Sequence, residues 1–276
     1  QAQLGFYVQD QVRLRRILGV FGLRHDTVDI KLQGSPDVQE SATTGRAGLM
    51  YEFDFGLTPY VSYSQSFKPQ PGIPVSDQLF APVNRRAATP REGEQIEVGF
   101  KFQPEDRNFI NASIYELKEE NLVVTPDTLA ENLIGGETEV RGFEIEAAGQ
   151  LTPAIKVIAG YSYTDAVWTN YPDPLSIKAG TPLDGIPEHL ASLWGFYTFQ
   201  SGALKGLSLG AGVRYVGETT NVAQDLLTNQ RLSVTTPSFT LLDATIAYET
   251  DSWRWQLTGQ HIADEYHLIS CTAFRG

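Results

Sequence analysis

The sequence has almost no cysteine and lacks any long apolar run. Its 276 residues include a single cysteine, so no disulfide can form within the chain. No run of about 18 apolar residues occurs, which excludes a transmembrane helix but leaves membrane-spanning strands possible, because these alternate polar and apolar residues. Basic residues are also few, with 21 against 33 acidic ones. The net charge of -12 argues against a nucleic-acid partner.

The N-terminus also lacks the features of a secretion signal. Residues 1–4 form neither the basic nor the apolar region of a signal peptide. An exported protein needs such a signal, so we expect the natural start to precede Gln1. Charged residues make up 20% and hydrophobic residues 41% of the chain, a balance that disfavours disorder.

The main signal that is present is an alternation of polar and apolar residues, which predicts β-strands. In segment 95–103 the apolar face consists of Ile96, Val98, Phe100 and Phe102. The opposite face is polar and includes Glu97 and Lys101. The same alternation recurs in segments 46–53, 155–163, 207–215 and 242–248. Segment 190–199 is apolar on both faces, so the pattern leaves its orientation open.

The connections between these segments alternate between short and long. The long ones cover residues 33–41, 68–92, 125–137, 169–187 and 218–236. Up-and-down outer-membrane barrels have short turns at one end and long loops at the other. The pattern therefore predicts about twelve strands of an all-β, antiparallel up-and-down transmembrane β-barrel, with residues 1–276 in one domain. A soluble β-sandwich is the alternative.

Aromatic residues collect beside the short turns, as they do in the girdle of a barrel at the membrane interface. They are Tyr51, Phe53, Tyr60, Phe100, Phe102, Phe109, Phe199, Tyr248, Trp253 and Trp255. In this interpretation the apolar strand faces contact lipid and the polar faces line the lumen. A sandwich core would also gather aromatic residues, because they favour strands in general.

Several motifs suggest chemistry, but each has a simpler explanation. Residues 206–210 match the hydrolase pattern G-x-S-x-G, which requires a sharp strand-to-helix turn, whereas Ser208 lies on the polar face of a regular strand. Glu144 and Glu146 share a polar face and suit a hydrated lumen wall as well as an acid–base pair. The four histidines, His25, His189, His261 and His267, show no metal-ligand spacing. We therefore expect neither an enzyme nor a metal site.

Eight short stretches, in a fixed order along nearly the whole chain, carry a family resemblance. They are residues 5–11 (GFYVQDQ), 22–26 (GLRHD), 58–69 (TPYVSYSQSFKP), 95–101 (QIEVGFK), 141–146 (RGFEIE), 160–166 (GYSYTDA), 187–194 (PEHLASLW) and 212–217 (GVRYVG). Together they resemble the TonB-dependent siderophore receptors, and among these the ferrichrome or hydroxamate type. Two departures occur near the end of the chain. His261 stands where the family usually has Asn, and Cys271 lacks the second Cys that usually pairs with it in ferrichrome-type members.

The resemblance implies a barrel of about 22 strands with an N-terminal plug. In that architecture the chain would supply strands ten to twenty-one. The plug, the TonB-binding segment, the first half of the barrel and the last strand would lie outside it. We therefore expect an open, incomplete barrel, with closure into a smaller barrel as the alternative.

The resemblance also implies a receptor in the bacterial outer membrane that imports a ferric siderophore of the hydroxamate type. Iron would enter as part of the ligand, and no covalently bound cofactor is expected. TonB would act through the N-terminal segment, and membrane lipid and lipopolysaccharide would surround the barrel. Candidate ligand-binding residues in the extracellular loops are Phe80, Arg85, Arg86, Trp168, Tyr171, Thr272 and Phe274.

The basic cluster Arg85, Arg86 and Arg91 would suit an anionic ligand or lipopolysaccharide phosphates, although a solvated loop tip also explains it. Three alternatives to the hydroxamate receptor stay open. One is a TonB-dependent receptor for a catecholate, haem or cobalamin. The second is a passive porin, and the third is a sandwich hydrolase that acts through Ser208.

Overall fold

The computed structural model consists almost entirely of β-strands. It describes residues 2–30, 38–70, 74–76, 86–105, 107–124, 132–172, 177–225 and 230–271. The strands are β1 (Ala2–Leu14), β2 (Ile17–Ile30), β3 (Val38–Tyr51), β4 (Leu57–Lys68), β5 (Pro74–Ser76), β6 (Arg86–Ala87), β7 (Arg91–Glu105), β8 (Asn108–Val124), β9 (Asn132–Thr152), β10 (Ile155–Asn170), β11 (His189–Thr198), β12 (Leu207–Val216), β13 (Thr219–Asp225), β14 (Gln230–Thr236), β15 (Phe239–Glu249) and β16 (Arg254–Gly259). Among these residues, no helix is long and apolar enough to span a membrane.

Twelve of the strands form one antiparallel wall in chain order. The order is β1-β2-β3-β4-β7-β8-β9-β10-β11-β12-β15-β16. The other four strands lie within long connections: β5 pairs with β6 and also with β9, and β13 pairs with β14. The expected number of wall strands is confirmed. The four additional strands were not predicted, because none is longer than seven residues and none has a sustained alternation.

The alternation of short and long connections is also confirmed. Since neighbouring strands run in opposite directions, every short turn lies at one edge of the wall and every long connection at the other. We call these edges the short-turn rim and the long-loop rim. The connections after β2 and β8 are shorter than predicted, because β3 begins at Val38 and β9 at Asn132. β3 with 14 residues and β9 with 21 are both longer than the roughly 9–11 residues that cross a bilayer.

The two faces of the wall differ in shape and polarity. Residues of seven neighbouring strands, from β4 to β12, line one hollow of about 640 Å³, so this face is concave. Glu97 and Lys101 line the hollow. Ile96 and Val98 lie on the convex face, where they are 53% and 48% exposed. The predicted orientation of β7 is therefore confirmed.

The convex face carries an apolar surface that runs across the wall. Its exposed residues include Phe6, Leu23, Leu49, Val61, Ile114, Leu193, Leu209, Ile246 and Leu257. An apolar surface of this extent requires lipid or a protein partner. Toward the short-turn rim aromatic rings contact one another, with centroids 4.7 Å apart for Tyr51 and Phe53 and 5.0 Å for Tyr197 and Phe199. These features fit a membrane-spanning band with an aromatic girdle.

Two residues predicted for the girdle lie on the concave face instead. Tyr60 lines the hollow and its hydroxyl donates a hydrogen bond to Glu97. Phe109 precedes Asn111 by two positions in β8, and Asn111 also lines the hollow. The prediction was wrong for both, because proximity to a short turn does not decide the face. A shift of one residue along a strand reverses it.

Aromatic rings on the concave face cover glycines of the next strand. The pairs are Tyr60 with Gly99, Tyr115 with Gly142, Trp194 with Gly212, and Phe196 with Gly210. In each of these aromatic–glycine pairs the two residues lie directly opposite in the strand register. A Cβ at Gly212 would lie 2.3 Å from the Trp194 ring, so glycine leaves the space that the ring fills. These contacts explain why β11 is apolar on both faces.

The wall has two free edges. β1 and β16 are the end strands, and no ladder joins them among the described residues. The side chains of β1 are exposed almost throughout. The expectation of an open sheet is therefore confirmed, and the smaller closed barrel is not formed by the part of the chain that the structure describes.

An ion pair connects the end of β1 to the turn after β3. The Arg13 guanidinium donates two hydrogen bonds to the Glu52 carboxylate, at 2.5 and 3.1 Å. These hydrogen bonds lower the pKa of Glu52. A carboxyl group with a lowered pKa adds stability above its unfolded-state pKa and loses it as the pH falls through the folded one. Solvent exposure keeps this contribution small.

The turn between β11 and β12 offers a matched test of backbone geometry. Gly202 and Gly206 both have positive φ angles, 74° and 89°. A Cβ at Gly206 would lie 2.3 Å from the Glu249 carbonyl oxygen, whereas a Cβ at Gly202 would meet no described atom within 4 Å. We expect Gly202→Ala to lower the free energy of unfolding by about 1 kcal/mol and Gly206→Ala by about 2 kcal/mol. Urea unfolding of the detergent-refolded chain measures both, and equal losses would contradict the contact.

Candidate functional site

The concave hollow gathers polar side chains around Glu97. The Tyr60 hydroxyl donates to one Glu97 oxygen at 2.5 Å, and the Gln95 amide donates to the other at 3.1 Å. The Lys101 ammonium lies 5.9 Å from the centre of the Tyr60 ring. Strand alternation brings all four side chains to one face, because Tyr60 lies opposite Gly99, between Glu97 and Lys101. The Glu97 carboxylate is thus fixed by neutral donors.

Two more carboxylates line the hollow on β9. Glu144 and Glu146 both face it, and the Asn111 amide donates to Glu146 at 2.7 Å. With Glu97 they outnumber the two cations that line the hollow, Lys101 and Arg214, so this part of the wall carries a local excess of negative charge. Such a surface attracts cationic groups. The arrangement fits the predicted hydrated lumen wall.

A buried ion pair lies on the concave face toward the end of the wall. The Arg214 guanidinium donates to both Asp243 oxygens, at 2.6 and 3.0 Å, and the Asp243 side chain is only 2% exposed. The third donor to this carboxylate is the backbone N–H of His261, at 2.9 Å. His261 adopts a φ of 54° directly after β16. Asp243 therefore holds together β12, β15 and the turn that follows β16.

Two of the candidate ligand-binding residues are in contact at the long-loop rim. The rings of Trp168 and Tyr171 meet edge to face with centroids 5.0 Å apart. Trp168 also packs against Gly136 of β9, where a Cβ would lie 3.0 Å from its ring. Its backbone N–H donates to Thr181 O at 2.9 Å, so residues 180–183 lie alongside the end of β10. These contacts form an aromatic corner at the mouth of the wall.

The structure does not describe the side chains of the other five candidate ligand-binding residues. Arg86 lies in the short strand β6, and only its backbone is described. Phe80, Arg85, Thr272 and Phe274 lie outside the described residues. Arg91, the third member of the basic cluster, is the first residue of β7, and its guanidinium pairs with Glu119. Its charge is therefore already neutralised.

The segment after β16 docks on the β13–β14 hairpin through Cys271. The Cys271 N–H donates to the Thr236 hydroxyl at 2.9 Å, and the Asn221 amide donates to the Cys271 carbonyl oxygen. The Val222 N–H donates to Asp184 at 2.9 Å, which attaches the hairpin to the connection after β10. Cys271 has a free thiol. The sequence pattern did not indicate these tethers.

The serine of the hydrolase-like motif lies in a regular strand. Ser208 is the second residue of β12, and its hydroxyl lies 2.8 Å from the Thr198 hydroxyl across the strand pair. This is not the strand-to-helix turn that a hydrolase nucleophile needs. Within the part of the chain that the structure describes, no three His, Cys, Asp or Glu side chains gather as a metal site.

The convex apolar band, the polar concave face and the two unequal rims define the class of protein as the wall of an outer-membrane β-barrel. Residues 1–260 match the family model described as TonB dependent receptor-like, beta-barrel. The chain belongs to this family, and the soluble sandwich is thereby excluded.

Similar proteins include two siderophore receptors. The chain is 36% identical to the ferrichrome outer membrane transporter/phage receptor of Escherichia coli K12, over 98% of this chain and 35% of that protein. It is 32% identical to the ferrioxamine B receptor of Salmonella typhimurium LT2, over 98% of this chain and 38% of that protein. The chain thus spans little more than a third of either relative.

A solved structure supports the fold. The pyoverdine outer membrane receptor FpvA from Pseudomonas aeruginosa PAO1, bound to pyoverdine, aligns with a TM-score of 0.78 at 21% identity. The alignment covers 97% of this chain and 39% of that one. At this identity the likeness establishes the barrel architecture.

Proposed function

We propose that this chain is part of a bacterial outer-membrane receptor that captures a ferric siderophore of the hydroxamate class and imports it with energy supplied through TonB. The observation that carries the proposal is the similarity over 98% of the chain to two receptors named for ferrichrome and ferrioxamine B. Both ligands are hydroxamates. The iron is cargo bound within the ligand, and the chain itself catalyses no reaction.

In this proposal each surface of the wall has its own role. The convex band contacts membrane lipid and lipopolysaccharide, and the concave face lines the path of the ligand. Ligand pockets combine apolar rings with a few placed polar groups, and the Trp168–Tyr171 corner supplies such rings at the mouth. TonB is the source of energy for import in this proposal.

A chimera tests the proposal. Residues 1–276 replace the matching segment of the E. coli ferrichrome transporter in a strain that lacks its own hydroxamate receptors. We expect uptake of ⁵⁵Fe-labelled ferrichrome or ferrioxamine B that disappears in a tonB deletion. A ferric catecholate serves as the comparison ligand. Preference for the catecholate, or uptake that is independent of TonB, would refute the proposal once the chimera is shown to reach the outer membrane.

Replacement of Trp168 should weaken capture of the ligand. We expect Trp168→Ala to raise the half-saturation concentration for hydroxamate uptake about tenfold, the usual scale for loss of a large aromatic contact. Trp253→Ala is the matched control, because Trp253 lies at the short-turn rim and is 68% exposed. It should leave uptake unchanged. An equal effect of both variants would indicate loss of folding rather than loss of a contact.

A further inference from the structure

Arg46 of β3 is an exposed cation without a carboxylate partner. Its guanidinium donates to the side-chain oxygen of Gln9, and no Asp or Glu among the described residues forms an ion pair with it. The chain has 33 acidic residues against 21 basic ones, so carboxylates are not scarce. Arg24 on the neighbouring strand, by contrast, pairs with the buried Asp26. The charge of Arg46 is therefore uncompensated within the part of the chain that the structure describes.

Contacts across the wall fix the direction of the Arg46 side chain. Arg46 lies opposite Gly22 of β2, and Gly22 lies opposite Gln9 of β1. A Cβ at Gly22 would lie 3.1 Å from Cγ and Nε of Arg46, so the side chain crosses β2 where glycine leaves room for it. The guanidinium then reaches Gln9. Because the Gln9 oxygen accepts this hydrogen bond, the Gln9 NH2 group is left as a further donor.

Another hollow of the concave face, of about 320 Å³, surrounds this guanidinium on β1 to β4. Its lining includes Tyr7, Gln9, Arg24, Thr44 and Arg46, and no acidic side chain is among the described residues that line it. Arg24 and Arg46 are diagonal neighbours on β2 and β3, which places their Cα atoms roughly 7–8 Å apart. Arg24 uses Nε and Nη2 for its carboxylate partner, so its Nη1 is left as a donor to the hollow.

The groups around this hollow favour an oxyanion. The planar fork of a guanidinium matches the two oxygens of a carboxylate, and charge-assisted hydrogen bonds of this kind are stronger than neutral ones. Since Asp26 neutralises Arg24, the hollow carries one net positive charge, which a single carboxylate would balance. The hollow around Glu97 is the reverse, because carboxylates are in excess there. The concave face thus has two regions of opposite charge.

We infer that Arg46 is the centre of a carboxylate-binding site on the concave face of β1 to β3. Its guanidinium would pair with the carboxylate, and Arg24 Nη1 and the Gln9 NH2 group would supply further hydrogen bonds. The carboxylate can belong to a ferric siderophore that carries one or to a protein side chain that faces the wall, since the chemistry is the same. The site does not depend on the proposed transport, because a free carboxylate is its probe.

Citrate titration of the 276-residue chain tests the site. The chain is refolded in detergent with ¹⁵N-labelled arginine, and nuclear magnetic resonance follows the side-chain Nε signals at constant ionic strength, with chloride as the comparison anion. The site variants are Arg46→Gln and Arg46→Lys, which keeps the charge but loses the planar fork. The matched control is Arg107→Gln, because Arg107 also donates to a glutamine, Gln150, but lies outside this hollow. Circular dichroism checks folding of all four proteins.

We expect citrate, and not chloride, to shift the Arg24 and Arg46 signals in a saturable way. Arg46→Gln should raise the half-saturation concentration, read from Arg24, about tenfold, the scale for loss of one charge-assisted pair. Arg46→Lys should raise it by a smaller factor, and Arg107→Gln should leave it unchanged. An unchanged value in the folded Arg46→Gln protein would overturn the inference, as would an equal rise in the Arg107→Gln protein.

Uptake by the chimera distinguishes the two sources of the carboxylate. A ferric hydroxamate that carries a free carboxylate is compared with its methyl ester, in chimeras with and without Arg46→Gln. A loss of uptake confined to the free acid would assign the site to the siderophore. An equal loss for both ligands would assign it to a carboxylate of the protein. The citrate titration is separate from uptake, so a failure of the proposed transport and a failure of the site are distinguishable.

Discussion

An arginine in place of Val98 is expected to destabilise the barrel by about 2–4 kcal/mol, the cost of a charge on the lipid face near the bilayer midplane. Val98 lies at the centre of the convex apolar stripe of β7, between Ile96 and Phe100. Once lipid covers this face, an arginine side chain at this position would have no water within reach. The measurement is urea unfolding of the chimera described above, reconstituted in lipid vesicles.

The matched control is Gln95→Arg on the concave face of the same strand. Gln95 already donates to Glu97, so an arginine there gains a carboxylate partner and keeps access to water. Its effect should stay within about 0.5 kcal/mol. Equal destabilisation by both variants would show that the convex face is not in contact with lipid.

Loss of the Arg214 guanidinium should be the second most damaging change. Removal of one partner from a buried pair costs about 3–5 kcal/mol, because it strands an uncompensated charge. Asp243 is 2% exposed, but the Arg214 side chain is 39% exposed and the His261 N–H remains as a donor. We therefore expect Arg214→Met to lower the free energy of unfolding by about 2–3 kcal/mol.

Two further variants show whether the effect comes from the pair. In the double variant with Asp243→Asn the loss should be smaller than the sum of the single losses, because the stranded charge is gone. Arg13→Met removes an arginine from the exposed pair with Glu52 and should have a much smaller effect. Additive losses in the double variant would argue against a direct Arg214–Asp243 interaction.

The sequence predicts the architecture well because period-two alternation reports directly on which face of a strand meets lipid. Ile96 and Val98 are assigned correctly, since neither has an apolar side chain next to it in the chain. The pattern fails where the concave face is also apolar. Trp194 and Phe196 belong there, and only the register with β12 shows that glycines receive their rings.

The candidate site is less predictable, because its contacts join residues far apart in sequence. The family resemblance suggested Trp168 and Tyr171 as loop residues that bind the ligand. The two rings are in contact, but Trp168 lies in β10 rather than in a loop. The contact between the His261 N–H and Asp243 depends on a left-handed backbone conformation that no spacing rule encodes. Among residues other than glycine, Asn is one of those that most readily adopt such a φ, which explains why a family pattern with Asn at this position would suit the same turn.

The aromatic–glycine pairs have a consequence for assembly. A strand that pairs two residues out of register keeps its lipid face and its hydrogen bonds, so hydrophobicity alone does not reject it. Such a slip would place Tyr60 against Glu97 or Lys101, and Tyr115 against Val140 or Glu144. Each ring would then meet a side chain where the native alignment leaves space. The glycines thus make misaligned strand pairing sterically unfavourable while strands are added to the wall.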